Sequence, residues 1–262
     1  MPVLTSTNDL RQAALPTNGY GYSATRLDDL GAAEYTLVSI VCDASGSVAA
    51  FQGELENALK SIVQACQFSP RADNLLLRLV SFDDALKELH GFKLLERCNL
   101  TDYDGVLRVG GSTALYDAAE NAVSATADYA RQLGASDFAA NALVFVLTDG
   151  MDNVSTLTAR HVKEALMRAV AEEALESMLS VLIGVNIADR SVGGYLQDLK
   201  TDVGFTQYVE IGRADAKTLS KLSDFVSRSI SAQSRSLGTG GGSQSLTFLE
   251  GWGPSSPQET HP

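Results

Sequence analysis

Two short, uninterrupted apolar runs, Leu37-Val38-Ser39-Ile40-Val41-Cys42 and Ala142-Leu143-Val144-Phe145-Val146-Leu147, limit what this chain can fold into. A strand wetted on one side alternates apolar and polar positions; neither run does so, and each therefore reads as a strand covered on both faces. Parallel sheets make such strands, because the helices that connect parallel neighbours cover both faces. The intervening sequence supplies those helices. Over residues 48–67, Phe51, Leu55, Leu59, Ile62 and Val63 recur at spacings of three or four, which is one apolar stripe of a helix. Residues 114–133 form an alanine-rich helical segment, and residues 158–175 another, with Ser155, Thr156 and Thr158 as capping candidates.

Further strands are expected at 75–82, 85–92, 179–185 and 207–211, with a short helix near 195–200 and a last helix over 216–232. Only Asp83 and Asp84 separate the strands at 75–82 and 85–92, too few residues for a helical crossover, so that pair reads as a hairpin with an antiparallel edge strand. The fold class that follows is α/β: a doubly wound, mostly parallel sheet of about six strands, one of them an antiparallel edge, with helices on both faces.

At 262 residues, one α/β domain with tails fits better than two small domains. Residues 1–33, with Pro2, Pro16 and Gly19-Tyr20-Gly21-Tyr22, read as an arm or linker without regular structure. Residues 34–235 form the domain. Residues 236–262 form a tail in which Gly238-Thr239-Gly240-Gly241-Gly242-Ser243 reads as a flexible linker to a short apolar tag, Leu246 to Trp252. An exposed cluster of Phe248, Leu249 and Trp252 would be a sticky patch, so the tag either folds back on its own domain or docks on another protein.

Charge excludes one class of partner. Thirty-two acidic against 20 basic residues give a formal charge of -12, which repels a phosphate backbone. The three cysteines, Cys42, Cys66 and Cys98, have no C-x-x-C spacing, and their odd number does not read as a disulfide framework; Cys42, in an expected buried strand, reads as a small core residue, and a reducing setting is the default. Residues 1–15 lack the basic start and apolar run of a secretory signal, and no 18-residue apolar run exists to cross a bilayer. The expectation is a cytoplasmic protein, in which Asn153-Val154-Ser155 is a chance glycosylation match.

The chemistry lies where strands end. Asp43-Ala44-Ser45-Gly46-Ser47 follows the first apolar run, Gly110-Gly111-Ser112-Thr113 precedes a helix, and Thr148-Asp149-Gly150 follows the second run. In an open α/β sheet, loops at the carboxyl ends of the strands are neighbours in space and carry the ligands. Two carboxylates and three hydroxyls, Asp43, Ser45, Ser47, Thr113 and Asp149, thereby form a candidate set for one divalent cation. Taken singly, each cluster has a plain role: Ser47 and Thr113 as helix caps, Asp43 and Asp149 as turn residues. Asp83 and Asp84 read as the hairpin turn; Asp152 and Asn153, just beyond the Asp149 loop, could rim the site but read first as solvated turn residues.

In this arrangement the chain resembles von Willebrand factor A domains, the fold of the integrin I domain. The resemblance runs from about Tyr35 to Gln233 and includes Leu115-Tyr116-Asp117-Ala118 after the second loop. The family's metal-ion-dependent adhesion site (MIDAS) uses Asp-x-Ser-x-Ser, a Thr and an Asp, which here fall on Asp43, Ser45, Ser47, Thr113 and Asp149. The resemblance implies that the three hydroxyls contact the metal directly and the two carboxylates act largely through water. Such hard oxygen donors suit Mg²⁺ or Mn²⁺, whereas Ca²⁺ usually takes more carboxylate oxygens. It further implies a non-catalytic module whose metal accepts a Glu or Asp carboxylate from a partner protein. Single-domain relatives of this kind are associated with MoxR-type AAA+ ATPases or with kinase and phosphatase systems of bacteria. Gly110 and Gly111 fit a loop that shifts relative to the metal.

Enzymatic readings have less support. A haloacid-dehalogenase-like phosphatase wants a second carboxylate two residues after its first Asp, where this chain has Ser45. There is no Gly-x-Ser-x-Gly turn and no phosphate-binding glycine loop after the first strand. His90, His161 and His261 are too scattered to pair as metal ligands; His90 is expected near a strand end and His161 on a helix surface. A hydrolase using water on the same ion, or a scaffold that binds through its tails, are the remaining alternatives.

Overall fold

The computed structural model describes residues 10–17, 19–171, 174–237 and 246–248. Among the described residues, eight strands form one sheet: β1 (Leu10–Ala14), β2 (Gly21–Thr25), β3 (Glu34–Asp43), β4 (Leu75–Phe82), β5 (Leu86–Leu94), β6 (Ala139–Thr148), β7 (Met178–Val185) and β8 (Gln207–Ile211). Their order is β1-β2-β5-β4-β3-β6-β7-β8. The helices are α1 (Gln52–Gln67), α2 (Leu115–Gly134), α3 (Ala159–Ala171), α4 (Arg190–Val203) and α5 (Ala216–Ser236).

β3 lies at the centre, parallel to β4 on one side and β6 on the other. Its alternate residues face opposite layers: Val38, Ile40 and Cys42 pack with Leu55, Leu59 and Ile62 of α1 and Leu222 and Phe225 of α5, whereas Val41 packs with Leu115, Ala118 and Ala122 of α2. This two-sided burial explains the uninterrupted apolar run. Each such aliphatic side chain contributes about 1.5–3 kcal/mol relative to exposure.

The N-terminal residues depart from expectation. Residues 10–14 and 21–25 are paired in register as an antiparallel hairpin, and β2 joins β5 through Ala24 and Phe92. The sheet thus has eight strands rather than about six, and β5 is an inner strand, not an edge. Distant contacts hold the hairpin: Tyr22 packs edge-on to Phe92 and donates to Asp128 of α2 at 2.6 Å, while the Tyr129 hydroxyl donates to the Thr25 carbonyl at 2.8 Å. Gly91 permits the approach, since a Cβ there would stand 1.9 Å from the Ser23 carbonyl oxygen.

At the other terminus, Leu246 and Phe248 pack against the α1/α5 side of the core, and the Phe248 ring meets Phe225 edge-on at 5.6 Å. These two tag residues fold back on their own domain. The glycine linker, Leu249 and Trp252 lie outside the described residues. No helix among the described residues is long and apolar enough to cross a membrane.

Candidate metal centre

Asp43 is the last residue of β3 and Thr148 the last of β6, and the strands are parallel neighbours in register up to Cys42 and Leu147. Both strand ends therefore open onto the same edge. The Asp43 carboxylate accepts from the Ser45 backbone N–H at 2.8 Å through Oδ1, and from the Thr148 hydroxyl at 2.7 Å through Oδ2. The Ser45 and Ser47 hydroxyl oxygens lie 3.2 Å apart, and Ser47 Oγ donates to Asp149 Oδ1 at 2.9 Å. Thr113 Oγ1 comes within 3.9 Å of where a Cβ on Gly150 would stand, so the second loop lies against the third. All five sequence-derived residues are brought to one place.

Their hydroxyls are not used as helix caps. Ser45 precedes a 3-10 turn over Gly46–Ala50 without a side-chain cap bond, α1 starts after Phe51, and α2 starts after Ala114, again without one. The plain capping roles for Ser47 and Thr113 are thereby set aside. What remains is an oxygen cluster graded from buried to open: Asp43, Ser45 and Thr113 are buried, Asp149 is half-buried, and Ser47 is exposed.

The electrostatics suit a cation. Burial raises the Asp43 carboxyl to about 6, its bonds from Ser45 and Thr148 oppose the shift, and the Asp149 charge adds to it. Burial also raises Asp149, against its bond from Ser47. No ion pair among the described residues reaches either carboxylate. Nor do those residues contain a cluster of three His, Cys, Asp or Glu side chains. The donor set is thus two carboxylates and three hydroxyls, hard oxygens that fit a small divalent cation better than a thiolate- or imidazole-preferring one.

The sequence reading did not give the roles of several residues that hold this arrangement. Asn153 clamps the backbone of Thr113: its Oδ1 accepts from Thr113 N–H at 2.8 Å, and its own N–H donates to the Thr113 carbonyl at 3.1 Å. Asp152 and Ser155 accept from the Tyr116 N–H at the start of α2, at 3.2 and 3.0 Å. Ser155 therefore caps α2 from a distant loop, whereas Thr158, just before α3, pairs with His161. Buried Asp117 accepts from the backbone of Thr156 and Leu157. Asp83 does brace the β4–β5 turn through the Ala85 N–H, but Asp84 accepts from the Ser112 N–H at 2.5 Å and belongs to the second loop. A sequence shows these as ordinary turn residues; only the recurrence of Asp and Asn around Asp149 hinted at more.

Of the two loop glycines, only Gly111 has a positive φ, +70°, with Asp84 Oδ2 2.8 Å from the position of a Cβ. Gly110 has no positive φ and open space around it, so of the pair only Gly111 requires a glycine's backbone freedom. The loop is stitched in place by Gly110 N–H to the Ala44 carbonyl at 2.9 Å and Gly46 N–H to the Gly111 carbonyl at 3.2 Å. His90 is also displaced from expectation: it lies within β5, with Nε2 2.9 Å from the Tyr103 hydroxyl, away from the site.

No family profile matches the sequence, and no curated protein matches it. Solved structures match by fold. Proximal thread matrix protein 1 from the mussel byssus, in a structure with a zinc-occupied MIDAS motif, superposes with a TM-score of 0.52 at 24% identity, covering 76% of this chain and 46% of that one. The PilB minor pilin from Streptococcus sanguinis gives 0.57 at 15% identity, covering 84% and 66%. The pilus adhesin SpaC from Lactobacillus rhamnosus GG gives 0.54 at 13% identity, covering 88% and 37%. The chain spans under half of the mussel protein, about two thirds of the pilin and just over a third of the adhesin. At these identities the likeness establishes the fold, which is von Willebrand factor A-like.

Proposed function

We propose that this chain is a non-catalytic, metal-dependent protein-interaction module, in which Asp43, Ser45, Ser47, Thr113 and Asp149 hold a divalent cation that accepts a Glu or Asp carboxylate from a partner protein. The observation that carries the reading is the convergence of five oxygen-bearing side chains at one sheet edge, with only two carboxylates among them and the exposed Ser47 at the lip. A cation so held keeps most of its positive charge and supplies a coordination position for an incoming anionic oxygen. The protein's own residues do the rest. Asp43 is fixed by Ser45 and Thr148, Asp149 is positioned by Ser47, and Asn153 fixes the backbone of Thr113.

Mg²⁺ or Mn²⁺ is the resident ion in this reading, since small hard cations match hydroxyl and carboxylate donors. The zinc-occupied MIDAS of the mussel protein supports divalent binding on this fold. A reducing, cytoplasmic setting is supported by three buried free thiols, Cys42, Cys66 and Cys98. Within it we place the module beside a bacterial AAA+ ATPase of the MoxR type or a kinase and phosphatase system. The packing of Phe248 on Phe225 favours the metal edge over the tail as the docking surface.

The test is capture of partner proteins from the native cell in Mg²⁺, in chelator, and with Asp43→Ala. Capture in Mg²⁺ alone is expected; equal capture in all three removes the metal from the mechanism. Hydrolysis at the same ion has less support, because both Asp43 oxygens already accept hydrogen bonds, Asp149 accepts from Ser47, and the neighbouring carboxylates Asp84 and Asp152 are engaged by the Ser112 and Tyr116 N–H groups. Mg²⁺-dependent turnover of a phosphate ester or peptide, abolished by Asp149→Ala, would replace the proposal.

A further inference from the structure

The loop that carries Asp149 is gripped from outside the three metal loops. The Asp152 N–H donates to the hydroxyl oxygen of Tyr195, on α4, at 3.4 Å, and that hydroxyl lies 2.5 Å from the hydroxyl of Tyr116, in the first turn of α2. The Tyr116 N–H in turn donates to Asp152 Oδ1 at 3.2 Å, which closes a ring of three residues. Asp152 follows Asp149 by three positions and Tyr116 follows Thr113 by three, so the ring joins the loops that supply two of the five site residues. Among the described residues, the other hydrogen bonds of Asp152 and Asn153 run to Thr113, Tyr116 and Ser155, within the third loop or to the entry of α2.

Packing fixes where the Tyr195 hydroxyl stands. Tyr195 and Tyr116 are half-buried and lie against the apolar layer that contains Leu196 and Leu199 of α4 and Leu115 and Ala118 of α2. An aromatic ring seated in such a layer buries its apolar body and presents its polar tip at a nearly fixed point. A small hard cation needs that precision. Mg²⁺ demands near-octahedral geometry with ligands at about 2.0–2.1 Å, and a site held more loosely than about 0.5 Å loses affinity. Asn153 joins the Thr113 backbone to the third loop, and Tyr195 joins both to α4.

We infer, on the reading that this edge holds a divalent cation, that Tyr195 is a positioning residue: its hydroxyl sets the spacing between the loops of Thr113 and Asp149. α4 carries none of the five site residues, yet it is thereby coupled to cation occupancy. Coupling is reciprocal, so a hydroxyl that favours the bound cation is itself held more firmly once the cation binds. A partner that moved α4 would change cation affinity without touching the metal.

The experiment compares the full chain as the parent, as Tyr195→Phe and as Tyr208→Phe. Phenylalanine keeps the ring in its apolar layer and removes only the hydroxyl. Tyr208 packs against the same layer, but its hydroxyl donates to Glu210 at 2.9 Å rather than to a metal loop. Mn²⁺ affinity is read by electron paramagnetic resonance titration, and amide exchange at Asp152 by NMR with and without Mg²⁺. Tyr195→Phe is expected to weaken Mn²⁺ binding roughly three- to tenfold, the effect of losing one neutral hydrogen bond, with the number of sites unchanged. It should also speed exchange at Asp152 in the metal-free protein, and Mg²⁺ should slow that exchange less than in the parent. Tyr208→Phe should leave both readouts as they are. Affinity or Asp152 exchange unchanged in Tyr195→Phe while the parent binds one ion, or affinity lowered equally in Tyr208→Phe, would overturn the inference and leave the cation reading intact. No saturable binding in the parent would instead remove the cation reading, and the role of Tyr195 with it.

Discussion

His90 shows how one residue's surroundings set a pH response. Its Nδ1 faces the Gly91 carbonyl at 2.9 Å and its Nε2 the Tyr103 hydroxyl, an arrangement that a neutral ring with the proton on Nδ1 satisfies fully. Burial lowers its pKa from 6.5 to about 4; Lys93 adds to this, while the Gly91 carbonyl, Glu88 and Asp102 oppose it. Because the folded pKa is depressed, the unfolded chain binds the proton more readily between those values. The contribution of His90 is therefore complete above pH 6.5 and lost as the pH falls to about 4. Urea midpoints at pH 7 and pH 5 should differ more in the parent protein than in His90→Gln; an equal difference would contradict this account. Isolated polar residues of this kind hide their role in a sequence. His90 sits among Lys87, Glu88 and Lys93, so nothing local marks it as packed against Tyr103, thirteen residues on.

The metal edge is built at the scale of loops and elements. Gly111 connects the first and second loops through its carbonyl, at a φ of +70° that an L side chain rarely adopts. Gly111→Ala would add the strain of that conformation to a clash with Asp84, costing about 1–2 kcal/mol of stability by urea denaturation; a neutral result would mean that the loop relaxes freely. Asn153 tests the opposite combination. It is exposed, yet clamps the Thr113 backbone. Asn153→Ala should weaken cation affinity by roughly 10–100-fold in calorimetric titration, as loss of outer-shell support does, with little change in melting temperature. Unchanged affinity would show that Thr113 is held without it.

These elements also mark the limit of what the sequence reveals. β3 and β6 announce themselves because burial on both faces requires an apolar residue at nearly every position, and Asp43 and Asp149 are found because they follow those runs directly. Asp84, Asn153 and Ser155 do not, because their partners lie 28 to 40 residues away and Asp, Asn and Ser are equally ordinary in turns. The β1–β2 hairpin is concealed for a similar reason. Its strands have five residues each, interrupted by Pro16 and Gly19, and the packing that selects them comes from Phe92 and Tyr129 much further along.

Across the whole molecule, the termini close the sheet and its covering layers. The N-terminal hairpin extends the sheet beyond β5, and the C-terminal tag seats Phe248 on α5. Phe248→Ala should lower stability by about 1 kcal/mol, the scale of an aromatic pair, and leave cation binding intact; a lost cation site would instead couple the tag to the metal edge.

The central claim, that Asp43, Ser45, Ser47, Thr113 and Asp149 together bind one divalent cation, is tested most directly by titrating Mn²⁺ into the full chain and counting bound ions by electron paramagnetic resonance. The account predicts one site per chain, displaced by Mg²⁺ and absent in both Asp43→Ala and Asp149→Ala while the circular dichroism of each variant remains that of the folded domain. An absence of saturable binding, or a site that survives both substitutions, would contradict it.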